Sequence, residues 1–171
     1  INRNMFGVYE TESEACPSGP QAQIFENNLQ DNISSSVVLT QSSSGSHVRR
    51  MPSNWWGSVD VAVIGSQIYD HTDFNSSPYL DFSGFLDGPF PDGVAYSVNR
   101  RELLVIHEDL RLDGSEPYAL LGDLYVPEGV TLTLAQGMRL NMEDDQGVGY
   151  SLIVDGTLSL EAGAVIEFAG S

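Results

Sequence analysis

The stretch Val130-Thr-Leu-Thr-Leu-Ala-Gln-Gly-Met-Arg-Leu-Asn-Met142 returns as Gly156-Thr-Leu-Ser-Leu-Glu-Ala-Gly-Ala-Val-Ile-Glu-Phe168, and this echo decides the fold class. Leu132 falls on Leu158, Leu134 on Leu160, Gly137 on Gly163, Leu140 on Ile166 and Met142 on Phe168, each pair 26 residues apart. The shared pattern is L-x-L-x-x-G-x-x-[IL]-x-[FM]. Apolar residues at every second position mark a strand with one buried face, and a glycine between two such runs marks a corner that a Cβ would obstruct. Each copy reads as strand, bend, strand. A unit this short cannot bury its apolar face by itself, so copies are expected to stack and cover one another, which is the logic of a solenoid. A period of 26 residues suits one turn of a β-helix.

Working outward from the echo, Tyr118-Ala-Leu-Leu-Gly-Asp-Leu-Tyr-Val-Pro-Glu-Gly-Val-Thr-Leu-Thr-Leu134 leads to the Gly137 corner and then to Leu152-Ile-Val-Asp-Gly-Thr-Leu158. This run resembles the opening coils of the right-handed parallel β-helix repeats of bacterial and archaeal cell-surface proteins. Upstream, Asn54-Trp-Trp-Gly57, Ile68-Tyr-Asp70, Asp73 and Leu80-Asp-Phe-Ser-Gly-Phe-Leu86 resemble the closing coil of the same family. The two matches span roughly residues 24–168. Ala135-Gln136 before Gly137 and Met138-Arg139 after it depart from the usual pattern and loosen the register of the first coil. The resemblance implies an all-β chain, a β-solenoid in two partial segments. Residues 1–90 would be terminal coils with the NWWG closing segment, 91–101 a Gly/Pro linker, and 102–171 the opening coils of a second β-helix. The end of one solenoid thus precedes the start of another.

The chain has 171 residues, 41% of them hydrophobic, enough for a sizeable core in one or two domains. Twenty-four acidic residues against 7 basic ones, all arginine, give a net charge of −17. Phosphate binding needs a basic footprint, so neither nucleic acid nor an anionic membrane surface is expected as a partner. No apolar run is long enough to span a bilayer, and the stretch after Ile1 does not read as a signal peptide, as expected of a mature or excised piece. Cys16, the sole cysteine, lies in a proline-containing loop and has no internal disulfide partner. Asn32-Ile-Ser34 and Asn75-Ser-Ser77 fit the glycosylation sequon, a pattern that arises readily in a Ser- and Asn-rich chain.

Met5 to Tyr9 reads as a strand, Ile24 to Leu29 as β-helix turns in which asparagines can stack, and Val37 to Leu39 as a further strand. Trp55 and Trp56 have two readings. As a structural plug they would fill the open core at a solenoid end; as a carbohydrate-binding module they would offer flat faces to sugar rings, together with Tyr69. Burial of the indoles discriminates the two. Asp70, Asp73 and Asp81 are close enough in sequence to share a calcium ion, although aspartates at turns commonly cap the backbone instead. The Glu143-Asp-Asp145 triplet falls on a polar loop between the two copies. No other cofactor is indicated.

Parallel β-helices host polysaccharide lyases and glycosidases, so the enzyme class has to be tested on residues. Lyases of that kind set a basic residue over an acidic groove. Arg49-Arg50 and Arg100-Arg101 lie at coil ends, and neighbours in a strand point to opposite faces. Glycosidases need two carboxylates at a fixed separation, whereas the inward positions of the coils are apolar. His47, His71 and His107 are scattered singly without metal-ligand spacing. The expectation is therefore no enzyme, but an extracellular structural or adhesive protein. Its ends are expected to assemble head-to-tail into a filament or stalk: Met5, Phe6, Val8 and Ile24 of one subunit or repeat would meet Val165, Ile166 and Phe168 of the next. Partners on this reading are the chain itself and a surface polysaccharide.

Overall fold

The computed structural model describes residues 5–11, 23–40, 48–74, 76–96, 101–143 and 147–168. Cys16, Asn75, Asp144, Asp145 and the side chain of Phe6 lie outside the described residues. The described chain is almost wholly β, with thirteen strands and one five-residue helix. Its strands form five small sheets of two or three members, and it divides into two compact units, Ile1–Ser97 and Val98–Ser171.

The first unit contains β1 (Phe6–Thr11), β2 (Ser35–Thr40), β3 (Val48–Arg50), α1 (Val61–Gly65), β4 (Ile68–Tyr69) and β5 (Tyr79–Asp81). Strands β1, β2 and β4 pair in parallel in that order, and β3 pairs in parallel with β5. A third line of contact is made by single bonds: Leu29 donates to the Trp55 carbonyl (2.7 Å), Trp55 to that of Asn27 (2.8 Å), and Leu86 to that of Asn54 (2.9 Å). Beside it the chain turns the same corner three times. Glu26, Ser53 and Gly84 all take left-handed φ (58°, 56° and 73°), and each is bonded to the next, Glu26 N–H to the Ser53 carbonyl and Ser53 N–H to that of Gly84. Only Gly84 adopts that conformation free of Cβ strain, so the ladder between rounds holds the other two.

Asn54 sits fully buried next to this corner. Its amide nitrogen donates to the carbonyls of Ile24 (2.9 Å), Met51 (3.0 Å) and Pro52 (3.1 Å), while its oxygen accepts from the backbone and side-chain nitrogens of Asn27. The two hydrogens of one amide are thus shared among three carbonyls at the corner. Helix α1 starts at Asp60, whose carboxylate accepts from Ala62 N–H at 2.9 Å, and its buried member is Ile64. Five residues are too few for a self-supporting helix, so burial of Ile64 supplies what the cap does not. After Asp87 the chain folds back: Asp92 and Gly93 donate to the Pro89 carbonyl, Leu86 bridges Ala95, and Tyr96 stacks on Phe85 at 4.9 Å.

The second unit contains β6 (Arg101–Val105), β7 (Leu110–Leu112), β8 (Tyr118–Val126), β9 (Thr131–Leu134), β10 (Arg139–Met142), β11 (Leu152–Val154), β12 (Thr157–Leu160) and β13 (Val165–Phe168). The sheets are β6-β8-β11, β7-β9-β12 and β10-β13, every pair parallel. β6 and β7 enter the first two sheets only, and from β8 on the strands enter all three in order, β11 to β13 repeating the order of β8 to β10. Pairing follows the sequence echo residue for residue: Leu132 opposite Leu158, Leu134 opposite Leu160, Leu140 opposite Ile166 and Met142 opposite Phe168. Leu103, Leu124, Leu132, Leu134, Leu140 and Met142 are among the residues that make the core.

One corner explains its glycine. Four residues, 127–130, join β8 to β9, whereas two, Asp155 and Gly156, join β11 to β12. The shorter corner nests inside the longer one, with Gly156 N–H on the Val126 carbonyl at 3.0 Å and Thr157 N–H on the Val130 carbonyl at 2.9 Å. A Cβ on Gly156 would lie 2.2 Å from the Pro127 oxygen and 2.3 Å from the Val130 oxygen, so no larger residue fits.

Candidate functional site

Among the described residues, β11, β12 and β13 each occupy the end of their sheet and pair on one side. The side chains they add to the core are correspondingly half covered. Leu132, Leu134, Leu140 and Met142 in the round before are fully buried. Their register partners are not: Leu158 and Ile166 are half-buried against the core, and Leu160 and Phe168 are each 51% exposed. Val165 lies at 37%. The expected inward column is therefore present at Leu158 and Ile166 and open at Leu160 and Phe168, because a strand paired on one edge has neighbours on one side only. In the first unit β1 holds the end position of its sheet, with Met5 exposed and Val8 and Ile24 half-buried. These are the two surfaces that the sequence singled out for assembly.

Outside the core, ion pairs link strands of the second unit, one between neighbouring strands and one across an intervening strand. The Arg111 guanidinium on β7 is bonded through both nitrogens to Glu161, beyond β12, and Arg139 pairs with Glu167 on β13. Arg111, with the Gln136 N–H, holds the Glu161 carboxyl below the usual range. Both pairs are solvent-exposed, so salt screens them and they contribute order of alignment more than stability.

Trp56 is fully buried, its ring edge-on to Phe82 at 6.2 Å, and it has no face to offer a sugar. Trp55 is half-buried, its indole N–H donating to the Gln30 side chain at 2.6 Å. The aspartates named as calcium candidates have other duties. Buried Asp70 accepts from the Thr72 N–H (2.9 Å) and hydroxyl (2.8 Å) and from the Leu80 N–H (2.8 Å), closing the loop between β4 and β5. Asp73 caps the Asp70 N–H at 3.2 Å, and Asp81, also buried, accepts from Arg50 (3.2 Å) and the Ser83 N–H (2.9 Å). Among the described residues no group of three or more His, Cys, Asp or Glu side chains is placed to hold a metal ion. Carboxylates whose oxygens accept N–H groups are turn supports. Burial pushes the Asp70 carboxyl above its ordinary value, in spite of those donors.

Asparagine stacking is expected from Ile24 to Leu29, but Asn54 as the partner of Asn27, the Gln30 partner of Trp55 and the three-fold left-handed corner are not legible in the sequence. An asparagine at both 27 and 54 was the available signal, but the corner itself is occupied by Glu26, Ser53 and Gly84, three residue types with no common pattern.

The Protein bark beetle of Drosophila melanogaster is 31% identical to this chain over 117 residues, which cover 61% of this chain and 4% of that protein. The chain thus spans a small fraction of the length of the relative it matches. No protein-family model matches the chain, and no solved structure matches it. No helix among the described residues is long and apolar enough to cross a membrane.

Proposed function

We propose that this chain is a structural element of an extracellular protein: two partial right-handed parallel β-helices whose uncovered rounds stack head-to-tail, building a filament or stalk. The carrying observation is the last described round of the second unit. Its strands continue three parallel ladders in strict order and leave Leu160 and Phe168 half uncovered. Chains that return to the same sheet in parallel do so with a right-handed crossover in nearly every fold, which sets the hand of the winding. A further round of the same kind, from the same polypeptide or from another copy, would cover these side chains and extend the ladders. Similarity to a segment of a much longer protein supports the covalent version, a tandem stalk. Trp56, enclosed against Phe82, serves in this reading as the plug at the closing end of the first helix. No catalytic step belongs to the reading.

The contact is heterologous and does not close on itself, so repeated stacking yields a linear polymer. Each large apolar side chain covered contributes about 1.5–3 kcal/mol before association entropy is subtracted. At high protein concentration, sedimentation velocity should show a ladder of oligomers and electron micrographs short rods. Ile166→Asp or Phe168→Asp should abolish the oligomers while circular dichroism keeps its β signature. A wild-type chain that stays monomeric at every concentration would remove the stacking contact.

A further inference from the structure

We propose that the Tyr118 hydroxyl is an edge lock: it fills the place of a strand that β10 lacks, and so keeps that edge from taking a strand of another copy. What the lock does for the direction of assembly rests on the stacking proposed above; the lock itself does not. β7 leads to β8 through residues 113–117 and skips the third sheet, so the first round sets no strand beside β10. Gly114 at φ 77° and Pro117, which has no N–H to donate, suit that segment to a turn and not to a ladder. Among the described residues β10 accordingly pairs with β13 alone.

The Val165 N–H bonds the Met138 carbonyl at 2.9 Å, so Met138 and Leu140 turn their backbone groups to β13, and Arg139 and Asn141 turn theirs the other way. On that other side the Asn141 N–H donates to the Tyr118 hydroxyl at 2.8 Å, and the hydroxyl donates to the Arg139 carbonyl at 3.3 Å. In a parallel ladder a residue opposite Leu140 would make the same two bonds, its carbonyl accepting from residue 141 and its N–H donating to residue 139. A hydroxyl is donor and acceptor at once, so one phenol reproduces the whole rung. The ring that carries it is half-buried against the core of the second unit, which fixes where the hydroxyl sits. Leu140 thus has Ile166 opposite it on one side and the tip of Tyr118 on the other. An open edge recruits strands from other chains, and a strand arriving at β10 would first have to displace this side chain. In the proposed assembly the third ladder therefore grows past β13 and not past β10.

Amide exchange read by NMR on the 171-residue chain tests the lock. Tyr118→Phe keeps the ring and removes the hydroxyl, so the Asn141 amide is expected to exchange about tenfold faster while the Leu140 amide, turned to β13, keeps its rate. Equal acceleration of both amides would mean general loosening, and acceleration of neither would mean that the hydroxyl holds nothing; either result overturns the lock. Association is then compared by sedimentation velocity in the Phe168→Asp background, which removes the stacking contact. Tyr118→Ala added to Phe168→Asp is expected to give concentration-dependent oligomers that Phe168→Asp alone does not form, with Tyr118→Phe taking its place if dichroism shows the alanine chain unfolded. Equal sedimentation of the two chains overturns the proposal. A wild-type chain that is itself monomeric removes the stacking reading and leaves this comparison valid.

Discussion

Asp70 shows how one buried carboxyl is made into a structural part. Its two oxygens accept from Thr72 and Leu80, so the loop that carries the chain from β4 to β5 is closed by a side chain together with backbone bonds such as His71 N–H to the Pro78 carbonyl (3.1 Å). Burial is the largest influence on it and raises its pKa above the ordinary 3.8, outweighing the donors that favour the anion. The folded state accordingly holds this proton more tightly than the unfolded chain. The stabilising contribution of the proton is complete below pH 3.8 and is lost as pH rises through the folded pKa. Carbon-13 titration of the Asp70 carboxyl should give a midpoint above 3.8, and wild-type stability relative to Asp70→Asn should fall as pH rises across that window. A relative gain over the same window would mean that the Leu80 and Thr72 donors, not burial, dominate.

The corners carry as much of the design as the strands do. Gly137 and Gly163, at φ 72° and 74°, turn the chain between the second and third sheets, and the left-handed conformation by itself accounts for glycine there. Gly156 is different, because the two-residue corner it belongs to is enclosed by the carbonyls of Pro127 and Val130. Gly156→Ala would have to push that corner off its neighbour and strain the pairing of β9 with β12, which are matched over four residues. Overpacking of this kind costs about 1–3 kcal/mol, readable as a lowered urea midpoint. At Gly129 a Cβ meets nothing within 4 Å, so alanine there bears only the cost of its φ of 82°. An equal loss at both positions would show that the corners are not nested.

At the scale of the whole molecule, burial in the second unit falls from β9 and β10 to their register partners on β12 and β13. Leu132, between β7 and β12, is fully buried, and its register partner Leu158 is half-buried. Leu132→Ala should cost about 2–5 kcal/mol, as a filled core site does. Leu158→Ala should cost clearly less in the monomer and approach the Leu132 value under conditions where rounds stack. Denaturation midpoints measured at low and high protein concentration distinguish the two cases. Leu160 and Phe168 carry half-exposed apolar surface, which a further round would cover in the proposed assembly.

The echo between residues 130–142 and 156–168 was enough to assign the register of β9 with β12 and β10 with β13, because alternation is a local property and a shift of one residue would turn every leucine outward. Strand identity, the glycine corners and the near absence of helix follow from the same local rule. The uses of polar side chains do not. Asp70 and Asp81 became turn supports, Asn54 a bridge to Ile24 and Trp56 a core residue because of partners brought alongside by folding, some of them 10 to 31 residues away in the chain. Glu26, Ser53 and Gly84 share one corner without resembling one another, since the bonds from Glu26 to Ser53 and from Ser53 to Gly84 impose the conformation that their side chains do not favour. A hydrophobic pattern can be satisfied by any neighbour of the right face, whereas a buried donor or acceptor is satisfied only by the atom that the finished fold sets opposite it.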